Sequence, residues 1–212
     1  ELKGSGIEMF KMSIPRCPSL LEWIKENAKA GETIAFDGKV FSVGEYKDFK
    51  KLEKGNKLNI KIDEDILDEV WKERPSLPRE KAFLHEVKYC GKSAREKLRE
   101  VREEMKKLGA NNYIIASLDD IAWLYNIRGN DVKCNPVVLS YALVKENEAY
   151  LYVDKSKFTS KMEEELLNEG VTLKSYDEIG NAISNLEGKI LIDPNKISAY
   201  LYECIKDKNN IV

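Results

Sequence analysis

Histidine is nearly absent: the 212 residues hold one, His85. The four cysteines, Cys17, Cys90, Cys134 and Cys204, lie far apart and form no C-x-x-C pair. A zinc site needs close-spaced Cys and His ligands, so the sequence offers no such site, and His85 reads as a linker or packing residue. Scattered thiols without a pairing pattern suit a reduced, cytoplasmic protein rather than a disulfide framework. Glycine-rich phosphate loops are also missing, since neither G-x-G-x-x-G nor a P-loop is found. No apolar run approaches the ~20 residues of a membrane span. The start at Glu1 is polar, with no secretory h-region and no initiator Met, so a piece cut from a longer protein is expected. Finally, neither sign of charge dominates. With 35 Lys and Arg against 37 Asp and Glu the net charge is -2, which suits a soluble surface and not a nucleic-acid footprint.

What is abundant is charge of both signs, 34% of residues against an ordinary ~25%, distributed over alternating strand and helix patterns. In the first part, residues 7–14 alternate loosely and read as a strand, broken by Pro15, Cys17 and Pro18. Ser19 caps a helix over 20–30, residues 33–36 form a strand, and Asp37-Gly38 a turn. A helix from Ser42 carries Tyr46, Phe49 and Leu52, followed by a strand over 58–62 and a short helix over 66–71. The segment R-P-S-L-P at 74–78 excludes regular structure, which places a domain joint at 74–90.

The second part opens with an amphipathic helix over 93–108, Leu98, Val101, Met105 and Leu108 on one face and a charged face opposite that reads as solvated. A strand over 112–116 follows. After the central stretch described below come a strand at 149–153, a helix at 157–168, a strand at 171–174, a helix at 176–186, a strand at 189–192 and a helix at 197–205. This alternation makes an α/β domain with a mixed sheet. The order strand, helix, glycine, strand, Asp-turn, helix, strand occurs twice, over 8–62 and again over 171–212. Two copies of one domain follow from that repeat, the first lacking its N-terminal half. The expected division is 1–75 for the first domain, 76–92 for a linker and 93–212 for the second domain.

Residues 117–144 join these patterns. Ser117 is placed to cap a helix, with Asp119 and Asp120 where a helix dipole favours negative charge. Ile121 to Tyr125 is a short apolar helix, 128–131 a polar turn and 137–144 a strand entered through Pro136. Trp123, Tyr125, Tyr141 and Trp23 read as core, and Trp71 as a residue that docks the joint.

The central stretch, with Asp120, Ile121, Ala122, Trp123, Leu124, Asn126, Arg128, Gly129, Asp131, Asn135, Pro136, Val137, Ser140 and Tyr141 in order, resembles the middle domain of three-domain Xaa-Pro aminopeptidases of the creatinase/prolidase superfamily. Upstream, Gly4-Ser5-Gly6, Lys11-Met12, Glu22-Trp23 and the box from Val70 to Pro75 resemble that family's first domain and interdomain joint. The resemblance implies an α/β fold of two tandem creatinase/prolidase N-terminal-like domains, with mixed β-sheets flanked by helices.

It implies further that catalysis resides in a C-terminal pita-bread domain, absent from this sequence. There, two divalent metals, commonly manganese, held by carboxylates and one His, activate a water that attacks the bond before proline. The expected partners are that catalytic domain, proline-containing peptides and, in the whole enzyme, a homodimer. The metal motifs have no match here, so no metal site, cofactor or peptidase activity is expected of this chain alone. Arg128, Asp131 and Asn135 are its candidates for lining the substrate cleft, with Asp131 pairing Arg128. The other reading is that all three only tie the turn to its own backbone. A non-enzymatic interaction or scaffold module of the same fold is the alternative function.

Overall fold

The computed structural model describes every residue except Glu1, Met12, Ser13, Arg16 and 207–210. The first part of the chain forms α1 (Leu20–Asn27), β1 (Thr33–Ala35), α2 (Val43–Asn56), β2 (Asn59–Lys61) and α3 (Ile66–Val70). Both α1 and α2 start in a capping box: Ser19 with Glu22, and Ser42 with Glu45, each satisfying two donors that a helix start leaves free. β1 and β2 pair in parallel, Ile34 opposite Ile60. A core of Ile24, Phe36, Tyr46, Phe49, Leu52 and Leu58 fills the space between helices and strands.

The expected strand at 7–14 is not formed. Its described residues carry no strand, and Met12 and Ser13 lie outside the described residues. Its alternating apolar residues Ile7, Met9, Phe10 and Ile14 are exposed, so no sheet face is buried to hold a strand there. Residues 83–90, read as linker, contain β3 (Phe83–Leu84) and α4 (Val87–Cys90). β3 pairs antiparallel with β5 (Ile127–Arg128), which ties the end of the supposed linker to the second part.

The second part is built on a five-stranded sheet of order β8-β7-β6-β4-β9, from β4 (Asn112–Ile115), β6 (Ser140–Lys145), β7 (Ala149–Val153), β8 (Thr172–Ser175) and β9 (Ile190–Leu191). β6 runs antiparallel to β4 and β7, whereas β8 and β9 lie parallel to their neighbours. Residues 137–139, expected in the strand, precede it: Asp131 and the turn take their backbone groups instead. Both faces of the sheet are covered. Ile115, Ala142, Val144, Leu151 and Val153 pack with Leu98, Met105, Ile121 and Leu166 of α5 (Ala94–Lys107), α6 (Leu118–Leu124) and α7 (Ser160–Asn168). Ile114, Leu143 and Tyr152, one residue out of step, point to the other face, toward Ile179, Ile183 and Leu201 of α8 (Ile179–Ser184) and α9 (Ala199–Glu203).

Three expectations about burial are corrected. Trp23 and Trp123 are 43% and 48% exposed rather than core, since each helix turns smaller apolar residues, Ile24 on α1 and Ile121, Ala122 and Leu124 on α6, inward. Lys97, counted on the solvated face of α5, is 1% exposed. Its ammonium donates to the Trp123 carbonyl (2.7 Å) and Asn126 Oδ1 (2.5 Å) under the Trp123 ring. Burial lowers its pKa, as expected for a cation taken out of water.

The two parts meet where the turns before α2 and α9 face each other. Ser42 and Ser198 form an antiparallel bridge, flanked by Val43 N–H to Ile197 O (3.0 Å) and Ala199 N–H to Phe41 O (2.8 Å). Val43 is packed into the second part's core, and Ala199 into the first's.

Candidate functional site

Sequence points to the turn after α6. Ser117 occupies its N-cap position but makes no capping hydrogen bond to the helix. Asp119 and Asp120 lie in the first turn, and each has a further partner. Asp119 Oδ1 accepts from Asn135 Nδ2 (3.2 Å), and Asp120 pairs with Lys196 (2.8 Å).

Arg128 and Asp131 do not form the expected pair. The guanidinium of Arg128 donates to the carbonyls of Ala122 (2.5 Å) and Ile127 (2.8 Å). It thereby closes the C-terminal end of α6, where carbonyls lack helical partners and a cation is favoured. Asp131 turns the other way. Its Oδ2 accepts from the Leu139 N–H (2.7 Å) and from Lys157 Nζ. Both side chains of that ion pair are buried, 2% exposed for Lys157 and 1% for Asp131. Asp131 Oδ1 is buried without a hydrogen-bond partner among the described residues. Gly129 lets the turn lie flat on the strand behind it, since a Cβ there would stand 2.7 Å from a Val138 methyl.

Lys157 of the buried pair forms part of the wall of a cleft at the end of the sheet. Lys157 lines it with Leu139, Asp154 and Tyr176, and the chain at Pro78 and Arg79 passes across. These positions follow from the topology: Asp154 and Tyr176 follow the parallel strands β7 and β8, and Leu139 precedes β6. Asp154 accepts the Ser156 N–H (2.9 Å) and faces Arg79 (3.8 Å). Hydrogen bonds from Ser156 hold its carboxyl below the usual range. Tyr176 stacks on Tyr141, ring centres 5.1 Å apart, and burial raises the Tyr141 phenol well above its ordinary value.

Of the three candidates, Asp131 reaches the cleft through Lys157, while Arg128 and Asn135 are held by α6 and its first turn. Sequence gave no signal for Lys157, which is 26 residues from Asp131 in a segment that reads as an ordinary charged helix start. The cleft lining contains no histidine or cysteine among the described residues. His85 stacks on Tyr89 in the joint, 5.6 Å between ring centres. Among the described residues no group of three or more His, Cys, Asp or Glu side chains is placed to hold a metal ion. Nor is any helix among them long and apolar enough to cross a membrane.

Comparison with known proteins adds the following. The family described as "Creatinase/Prolidase N-terminal domain" matches residues 73–212. The chain is 35% identical to Xaa-Pro aminopeptidase 1 of Dictyostelium discoideum over 97% of its own length and 34% of that protein's. It is 31% identical to Aminopeptidase P2 of Arabidopsis thaliana, over 97% of this chain and 30% of that one. It thus spans about a third of the length of these relatives. Among solved structures, the X-prolyl aminopeptidase of Caenorhabditis elegans, described as a cytosolic enzyme with a di-nuclear active site, superimposes with a TM-score of 0.90 at 25% identity, covering 97% of this chain and 35% of that one.

Proposed function

The chain belongs to the creatinase/prolidase N-terminal domain family, and from that premise we propose that it is the non-catalytic N-terminal part of an Xaa-Pro aminopeptidase, a cytoplasmic metallopeptidase that removes the residue before proline. The observation carrying this reading is the superposition of 97% of the chain, at a TM-score of 0.90, on about a third of an X-prolyl aminopeptidase. Among the described residues, no cluster of donor groups fits a di-nuclear centre. The reading therefore assigns the two metals, manganese by expectation, to a catalytic domain outside this sequence, and assigns this chain to shaping and covering that domain's site, with any homodimer formed by the whole enzyme.

Within it, residues 1–75 and 93–212 are read as tandem copies of one module, the first truncated. Matching hydrogen bonds around Ser42 and Ser198 support this. Arg128 is read as bracing α6, because its guanidinium is spent on two carbonyls, and Asn135 as bracing the same helix's first turn.

The test is to assay the complete gene product and this chain side by side on an Xaa-Pro peptide with manganese supplied. Turnover by the complete protein and none by the chain is expected. Turnover by the chain, or none by the complete protein, overturns the assignment. Arg128→Lys in the complete enzyme separates the roles of that residue: loss of stability marks a brace, and loss of kcat/KM at unchanged stability marks a cleft residue.

A further inference from the structure

The contact between residues 37–47 and 193–203 reads the same in either direction. Val43 N–H donates to Ile197 O (3.0 Å) and Ala199 N–H to Phe41 O (2.8 Å), on either side of the Ser42–Ser198 bridge. One step further out, Gly44 N–H donates to Pro194 O (2.9 Å) and Tyr200 N–H to Gly38 O (2.9 Å). Position 43 corresponds to 199, 41 to 197, 44 to 200 and 38 to 194, so each bond has its mirror. Side chains follow the same rule. Val43 enters the core beside Ile190 and Ile197, and Ala199 enters the core beside Phe36 and Tyr46. The Tyr46 hydroxyl donates to Glu203 (3.0 Å), and Lys47 sits 5.1 Å from the centre of the Tyr202 ring, the exchanged positions.

A contact in which i meets j and j meets i is isologous, and a patch with that property complements itself. The inner four hydrogen bonds are made by main chain, so they do not depend on which module supplies the donor. The side chains of the second module also suit their own mirror image. Ala199 is smaller than the Val43 it would replace, and Tyr202 carries the hydroxyl that Glu203 accepts.

We propose that the face centred on Ser198 is a self-complementary docking surface whose partner is the same face of a second copy of this chain, a position that residues 37–47 fill within one chain. This rests on the reading of the two parts as copies of one module. The tether between them permits the exchange, since residues 71–82 carry no helix or strand. High effective concentration favours the internal contact, and a second copy takes its place when the first module swings out.

Cysteine trapping tests this in the full chain with its native cysteines replaced by serine. Ser42→Cys with Ser198→Cys closes a disulfide within one chain, because directly opposed antiparallel residues stand about 4.5–5.5 Å apart at Cα. Ser198→Cys alone yields a disulfide-linked dimer, increasing with protein concentration and several-fold above a Ser160→Cys control on the exposed start of α7. If the double variant closes and the single variant gives no more dimer than the control, the proposal falls and the repeat stands. If the double variant does not close, the paired contact falls, and the repeat reading loses its support with it. The unaltered chain gives a second readout that needs no cysteine replacement: refolded from urea at rising concentration, it divides between monomer and dimer in sedimentation, and refolding to monomer alone contradicts the proposal.

Discussion

The turns at 37–44 and 193–200 share a backbone and differ in surroundings. In each, an Asp side chain accepts the N–H two residues on, at Lys39 (2.8 Å) and Asn195 (2.9 Å). In each, its carbonyl accepts the N–H three residues on, at Val40 (3.1 Å) and Lys196 (3.0 Å), and a serine caps the helix that follows. Yet Lys196 meets Asp120 of α6, whereas Val40 is 71% exposed. β9 has β4 on one side and Ile211 on the other, whereas among the described residues β1 pairs with β2 alone. Local sequence is enough to specify the turn, because an Asp side chain and a serine cap satisfy donors a few residues away. What the turn contributes to stability is set by the elements packed against it.

The largest difference between the two parts should come from the buried Asp131–Lys157 pair, which belongs to the second part alone. Removing one member leaves the other charge buried and unpaired, so Asp131→Ala should lower the unfolding free energy by about 3–5 kcal/mol in urea titration. Asp131→Leu with Lys157→Met should recover most of it, since two apolar groups leave no orphan charge. A loss below about 1 kcal/mol would show the pair to be effectively solvated.

Next come the two residues that exchange cores. Val43→Ala should cost about 2 kcal/mol, from lost burial and the cavity left beside Ile190. Ala199→Val should cost about 1–3 kcal/mol by overpacking the smaller core around Phe36. If the two parts unfold as one body, both losses appear in a single transition by circular dichroism and by tryptophan fluorescence. Two separated transitions would show that the joint does not couple them.

These contrasts also explain what was legible in the sequence. The strand and helix order of the second part and the Asp-turn that recurs in both parts rest on short-range chemistry, and sequence reports short-range chemistry. Partners far apart in sequence were not legible. Arg128 had an apparent partner three residues away and took the carbonyls of Ala122 and Ile127 instead. Lys157 and Lys97 look like other lysines in charged runs, and only the fold shows that they are buried. β3 was hidden because two residues following a proline-rich stretch carry no alternation to read.

A smaller effect distinguishes the caps. Ser198→Ala should cost about 1 kcal/mol in α9 stability. Ser42→Ala should cost somewhat more, because in its reciprocal capping box the Ser42 hydroxyl also donates to the Glu45 carboxylate (2.8 Å), while Leu201 occupies the matching place after Ser198. Equal losses in thermal unfolding would mean that the reciprocal bond adds nothing at this exposed site.

The smallest effect is the pH dependence of the Asp120–Lys196 pair. Burial raises the Asp120 carboxyl, but hydrogen bonds from Lys196 and Ser117 outweigh it and leave the pKa below the ordinary value. A carboxyl depressed in the folded state contributes stability above its unfolded pKa and loses it as pH falls through the folded one. Both side chains are about half exposed, at 47% and 48%, so solvent screening limits the contribution to about 0.2–1 kcal/mol. Asp120→Asn should therefore flatten the stability profile slightly between about pH 5 and pH 2 and match the unaltered chain at the acid end. Val40→Lys places the same ammonium on the matching turn of the first part, where no counterpart of α6 stands among the described residues. It should leave the acid limb of the profile unchanged. An equal pH-dependent gain there would mean that the ammonium acts through the turn's own Asp37, and that α6 adds nothing to the comparison.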